Sequence, residues 1–342
     1  MPARPKLYLR SYPVPDGMEV HAGAMEEDGW DGMLFTDTQN LSMDVFGSLY
    51  LAASATSRLE LGTAVTNLGT RHPAVMASSF ATLHHVSGGR AHIGVGRGDT
   101  ALELVGIKPP STVRFGELQA YLRGDAVEVD GFQSRISWLP VYGESKVPAN
   151  VFGSGPRVID VAARLGDKLT VAVGAEPERL EWAVGTARGA RRAASLDAES
   201  IDIGAFVVVG AGMEQRALDE LVRGNASTLA HFQRGVTSWL SRSDATVVEE
   251  VTSRYDNYHH GLEHASQAEV IPDDFLNRFC VIGSPDEYTE RLCELVALGM
   301  SHLVIVGGSR NIDTTVRERS DHLVAKEVLP AVQAVELPAG PR

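Results

Sequence analysis

The stretch LELGTAVTNLGTRHPAVMASSFATLHHVSGGRAHIGVGRGD, from Leu59 to Asp99, decides the fold of this 342-residue chain. It holds two apolar runs of strand length, Leu59–Val65 and Ala91–Val95, each β-branched at its end. Between them Pro73–Val86 reads as a helix, with Pro73 in the first turn, where a missing N–H costs nothing. Strand, helix and strand with short joints make a βαβ unit whose strands run parallel. A polar segment follows each strand, Thr66–Arg71 and Gly96–Asp99. In α/β proteins ligands sit at the carboxyl ends of strands, so these segments are the first pointer to function.

Working outward, Lys6–Tyr12 alternates as a first strand, and Asp16 with Glu19 has capping-box spacing for a helix reaching about Asp28. Met33–Thr36 is a second strand, ending in Asp37-Thr38-Gln39-Asn40, and Ser42–Ser57 is an Ala/Leu-rich helix. Beyond the central stretch, Ser111 caps a helix to about Arg123. The segment 125–146 then alternates around Gly131 and reads as an excursion hairpin with strands Ala126–Val129 and Ile136–Leu139. Ala149–Phe152, Leu169–Val173 and Ile201–Val209 are strands five to seven, separated by helices Arg157–Leu165 and Glu176–Ala194. A second excursion, about 213–279, begins as a helix and continues as a polar region containing His and aromatic residues. Ser284-Pro285-Asp286-Glu287 is a strong helix start. His302–Val306 is an eighth strand, and Thr314–Val335 is the closing helix. Eight strands alternating with helices indicate an α/β chain folded over 1–342 as one (β/α)8 TIM-type barrel with insertion segments. The rival is an open doubly wound sheet, which needs its strand order reversed somewhere.

With 44% hydrophobic and 22% charged residues, the composition suits a soluble globular protein with a large core. A formal net charge of −13 argues against binding nucleic acid or an anionic membrane. Two cysteines, Cys280 and Cys293, are too few for a disulfide framework and are expected as thiols in a reducing compartment. The N-terminal residues lack a signal-peptide core, and no run approaches the roughly 18 apolar residues of a membrane span. A cytoplasmic location is therefore expected.

Glycine-rich strand ends let backbone approach a flat or phosphorylated ligand. Gly153-Ser154-Gly155-Pro156-Arg157, between strand and helix, offers amides at a helix N-terminus, a hydroxyl and a guanidinium: a phosphate cradle, or else a tight joint with a capping serine. Gly94–Asp99 is spaced G-x-G-x-G, and no helix is expected to open after it, so it is not the dinucleotide fingerprint. It leaves Arg97 and Asp99 held at a strand end, either facing a ligand or paired with each other. The histidines have no metal-ligand spacing, and no nucleophile elbow occurs, so no metal is expected. A barrel with these loops and no activated nucleophile points to a bound organic cofactor.

The central stretch, with TN-x-x-TRHP, SGGR and GVGRGD, resembles the luciferase-like superfamily of flavin- and deazaflavin-dependent oxidoreductases. Its look is nearest to members like methylenetetrahydromethanopterin reductase. NVFGSGPRVIDVAARLGDKLTV and GSPDEYTERLCELVALGMSHLVIV extend the likeness over nearly the whole chain. The resemblance implies a homodimeric barrel binding coenzyme F420 or FMN without a covalent bond. It would place Asp37 beside the ring system and Ala64 and Val65 as the bulge behind the ring, around a non-prolyl cis peptide. Thr66 and Asn67 would reach the polar edge or chain of the cofactor, Asp99 would lie near the ring, and Ser154, Gly155 and Pro156 would take the phosphate. Arg71, Arg97 and Arg157 are candidates for the anionic tail. Asp37-Thr38-Gln39-Asn40 departs from the His of luciferases and the His and Trp of the sugar-phosphate dehydrogenases, so neither chemistry carries over. The expected activity is hydride transfer between coenzyme F420 and a small organic substrate, with Asp99 as proton donor or ring contact and His259 or His260 positioning substrate. One alternative is a monooxygenase using reduced FMN and oxygen, fed by a separate flavin reductase. Another is a non-catalytic flavin-binding relative.

Overall fold

The computed structural model describes residues 4–14, 16–139 and 145–337. The strands are β1 (Lys6–Ser11), β2 (Gly32–Phe35), β3 (Glu60–Thr63), β4 (Ala91–Val95), β5 (Val127–Val129), β6 (Phe132–Ser134), β7 (Ala149–Gly153), β8 (Lys168–Val171), β9 (Asp202–Ala211), β10 (Val281–Gly283) and β11 (His302–Val306). Eight of them, in the order β1-β2-β3-β4-β7-β8-β9-β11, pair in parallel, and β11 closes on β1. Closure settles the choice between barrel and open sheet in favour of a (β/α)8 barrel.

The βαβ unit of the central stretch forms as its sequence dictates. The helix spans Pro73–Val86, and the His72 imidazole caps it by accepting from the Ala74 amide at 3.2 Å. Met76, Phe80 and Leu83 on its inner face are fully buried against the barrel. The Ser284 capping box is present in both directions, with Glu287 Oε2 accepting from the Ser284 amide at 2.9 Å.

Several elements differ from the sequence reading, each for a local reason. The first helix starts at Met18 behind Gly17, whose φ of 73° sets the entry, so Asp16 caps nothing. In the first excursion β5 pairs with β6, and Ile136–Leu139 is not its partner. Asp130-Gly131, both at positive φ, form a two-residue turn that fixes a tighter register. A short helix, Asp99–Glu103, does open directly after the G-x-G-x-G run, because Gly98 takes the left-handed conformation that starts it. The second excursion is largely helical (Gln215–His231, Arg242–Ser253, Asp273–Phe279) and ends in β10, which extends the sheet beside the long end of β9. The closing helix is interrupted by a wider turn at Val324–Val328, just before Pro330, whose missing N–H removes one helical bond.

The interior of the barrel is polar at its amino end. Glu60 holds Lys6 and accepts from the Tyr8 hydroxyl at 2.8 Å. Burial pushes its pKa up, but His92 and Lys6 outweigh that and hold the carboxyl well below its ordinary value. Above this layer Tyr8, Leu34, Ala64, Phe152 and Val304 pack together. This apolar plug supports the mouth at the carboxyl ends.

Candidate active site

A cavity of about 810 Å³ opens at the carboxyl end of the barrel. Its floor takes one residue from each barrel strand or the position just after it: Arg10, Thr36, Ala64, Gly96, Phe152, Ala172, Phe206 and Val306. Its roof comes from the second excursion, through Asn225, Thr228, Phe232, Arg234, Val236, Trp239 and His260.

At the β3 end the Ala64–Val65 peptide is cis, and both residues face the cavity. Gly96 stands against this shelf so closely that a Cβ would lie 2.6 Å from Val65 Cγ2. Asp37 is on the wall, and its carboxylate accepts from Thr66 Oγ1 at 2.6 Å and is ion-paired with Arg71. Arg71 also reaches Asp44 at 3.2 Å, so its charge is spent inside the protein and not on a ligand tail.

On the far side, Ser154, Gly155, Pro156 and Arg157 line the cavity. Gly155, not Ser154, occupies the cap position of helix Pro156–Leu165, and no side chain caps it. Among the described residues, the Gly155 and Arg157 amides meet no protein acceptor. The Ser154 hydroxyl points across to the Phe232 carbonyl at 3.4 Å. The capping-serine reading therefore fails, and free donors remain at a helix N-terminus. A Cβ on Gly155 would meet Val236 Cγ1 at 2.6 Å, which leaves this close approach to glycine.

Asp99 lines the cavity but pairs with Arg234 at 3.1 Å, not with Arg97, which is exposed on the rim. Arg234 also binds Glu103 at 2.9 Å, tying the roof to the short helix after β4. His260 is half-buried in the roof, and its Nδ1 lies 2.7 Å from the Tyr255 hydroxyl and 3.1 Å from Thr100 Oγ1. Burial, then the charges of Arg10 and Arg310, push it down to about 3, so its imidazole is neutral near pH 7.

Three expected site residues stand off the cavity wall. Thr66 spends its hydroxyl on Asp37, and Asn67 folds its oxygen into a turn, accepting from the Gly69 and Thr70 amides at 2.9 Å. His259 lies on the exposed outer side, held to Asp256 at 2.6 Å. The sequence reading missed Arg10, Thr36, Arg234 and Trp239. Only Arg10 carried a signal, since Lys6, Tyr8 and Arg10 alternate onto the inner face of β1. Among the described residues, no group of His, Cys, Asp and Glu side chains is arranged to hold a metal, and no helix is long and apolar enough to cross a membrane.

The fold and site define a (β/α)8 barrel whose mouth offers an organic ligand a flat shelf on one side and a helix N-terminus on another. The chain belongs to the luciferase-like monooxygenase family, whose model matches residues 2–302. It is 26% identical over 332 residues to a 5,10-methylenetetrahydromethanopterin reductase of Methanolobus tindarius, covering 90% of this chain and 94% of that one. It is 28% identical over 349 residues to an F420-dependent glucose-6-phosphate dehydrogenase of Beutenbergia cavernae, covering 94% and 95%. Among solved structures, the coenzyme F420 dependent tetrahydromethanopterin reductase of Methanopyrus kandleri superposes with a TM-score of 0.74. That match has 21% identity and covers 96% of this chain and 99% of the other.

Proposed function

We propose that this protein is an oxidoreductase that transfers a hydride between coenzyme F420 and a small organic substrate. One observation carries the reading: a single cavity joins the Ala64–Val65 shelf to the open donors at Gly153–Arg157. A deazaflavin with a phosphorylated chain needs both a flat apolar support and an anion site. Two of the relatives described above are named for F420, which weighs in the same direction.

When bound, the cofactor would supply the hydride-accepting or hydride-donating ring carbon. Ala64 and Val65 would back the ring, and Asp37 would stand at its edge. The Ser154 hydroxyl and the Gly155 and Arg157 amides would hold the phosphate beside Pro156, while Arg97 and Arg157 on the rim face an anionic tail. Asp99, ion-paired with Arg234, is a positioning carboxylate that orients groups at the lip. The neutral His260 orients substrate beneath the roof, which keeps water from the floor. His259 has no part in this scheme.

The family's description as monooxygenase favours a second reading, in which reduced FMN and oxygen act with a separate flavin reductase. Deazaflavin reacts poorly with oxygen, so the cofactor decides the class. Fluorescence titration of the purified chain with coenzyme F420 and with FMN separates the two. We expect saturable quenching with F420; tight FMN binding with no F420 response would assign the site to the monooxygenase reading. The proposal includes a cytoplasmic homodimer, checked by light scattering of the purified protein.

A further inference from the structure

The cavity floor is apolar or glycine at all but two of its eight positions. The exceptions are Arg10 on β1 and Thr36 just after the paired strand β2. Arg10 is 9% exposed. Its Nη2 donates to Asn225 Oδ1 at 3.0 Å, and its guanidinium sits 4.3 Å from the centre of the Tyr12 ring. The Asn225 amide is itself fixed, donating to the Gly307 and Gly308 carbonyls at 2.8 and 3.0 Å, so it aims its oxygen at Arg10. Among the described residues Arg10 Nε meets no acceptor, and no carboxylate pairs with this guanidinium. Beside it, Thr36 Oγ1 is buried without a partner as well.

The carboxylates that line the cavity are all committed elsewhere: Asp37 to Arg71, and Asp99 and Glu103 to Arg234. Arg310, whose guanidinium lies 5.7 Å from the centre of the same Tyr12 ring, adds further positive charge near Arg10. Arg97 and Arg157 also line the cavity, but they are exposed and water can solvate them. Arg10 cannot be treated that way, because a buried charge without a counter-ion is costly to keep. An anchored, pre-aimed guanidinium that bears this cost has the form of a binding group.

We propose that Arg10 anchors a carboxylate of the substrate, with the Thr36 hydroxyl as a second donor. The barrel order puts β1 diametrically opposite β7, so this anion site is separate from the phosphate cradle. Between them Phe152 and Phe206 offer an edge-on aromatic pair, with centroids 5.8 Å apart, to an apolar body. The substrate class is thus a small carboxylic acid with an apolar or aromatic frame. Calling the ligand a substrate rests on the oxidoreductase reading; its carboxylate chemistry does not.

The test is calorimetric titration of the cofactor-free protein with benzoate and with benzamide, which share a shape and differ in charge. Benzoate is expected to bind about tenfold or more tightly than benzamide, a preference that Arg10→Met abolishes and Arg10→Lys reduces. Arg10→Met is expected to melt at or above the wild-type temperature, because it removes an uncompensated buried charge. Equal binding of the two probes by the wild type, or a preference that survives in Arg10→Met, overturns the proposal. So does an Arg10→Met protein that keeps the preference for benzoate but loses F420 binding, since the guanidinium then serves the cofactor's own ring. A wild type that prefers benzoate yet responds to neither F420 nor FMN sinks the cofactor reading and leaves the carboxylate anchor standing.

Discussion

Replacing Asp37 by Asn tests whether the lip of the β2 strand is built as an ion pair. The carboxylate is 4% exposed, accepts from Thr66 Oγ1 at 2.6 Å and is paired with Arg71. Breaking a buried pair from one side costs about 3–5 kcal/mol, because the abandoned charge stays behind. Arg71 is less trapped than that limit assumes: its side chain is 20% exposed and keeps Asp44 at 3.2 Å. The expected loss is therefore about 2–3 kcal/mol. Unfolding entropy for a chain of this length is about 0.7 kcal/mol/K, so the melting temperature should fall by about 3–4 °C. Thermal unfolding followed by circular dichroism reads this directly. Asp44→Asn is the control: its carboxylate side chain is 65% exposed, and less than about 0.5 kcal/mol should be lost. Adding Arg71→Met to Asp37→Asn should cost at least about 1 kcal/mol less than the two changes summed, since neither charge is then stranded. An Asp37→Asn protein that melts with the wild type, or strictly additive double-variant losses, would refute the ion-pair account.

Ser154→Asp sets a carboxylate against the bound phosphate and should weaken F420 or FMN about tenfold or more by fluorescence titration; unchanged affinity means the phosphate lies elsewhere. Gly98→Ala adds a Cβ 2.4 Å from Asn67 Cβ at a φ of 79°, and the urea midpoint should report a loss of about 2–4 kcal/mol; a wild-type midpoint would contradict the close packing. Burial, followed by neighbouring arginine charge, pushes His231 and His260 down to about 3 from an ordinary value near 6.5. The unfolded chain therefore binds more protons in that window, so stability is complete above about pH 6.5 and falls as pH drops toward about 3, by up to about 1.4 kcal/mol per pH unit for each imidazole. His260→Gln should flatten this slope in urea unfolding at pH 7, 6, 5 and 4, and a slope identical to wild type would show that His260 titrates normally.

Much of the site was legible because strand ends are legible. A β-branched run followed by Gly, Thr or Asp marks a carboxyl end, and in a closed parallel barrel those ends converge. That reasoning reached Asp37, Ala64, Val65, Arg97, Asp99, Ser154, Gly155, Pro156 and His260, all of which line the cavity. Thr66, Asn67 and His259 do not line it, because each side chain turns to a nearer partner. Such choices depend on competing local hydrogen bonds, as when Asn67 bonds the Gly69 amide two residues on. The Asp99–Arg234 pair spans 135 positions along the chain, and neither sequence neighbourhood marks the other.

The chain by itself determined a parallel α/β sheet with helices on its faces, since eight short apolar strands alternating with helices have few other ways to bury both faces. Closure of that sheet into a barrel came with the tertiary structure. It also determined which loops meet at the mouth, because chain direction fixes which end of every strand those loops occupy. Only the tertiary structure decided what the excursion at 213–279 covers and that, among the described residues, the buried Arg10 of the cavity floor meets no carboxylate. Arg71, Arg234 and Arg10 are alike in sequence; their roles part because two meet carboxylates from distant segments, while Arg10 points into the cavity without one. Whether a charge is neutralised depends on distances between segments, and those exist only once the barrel has closed.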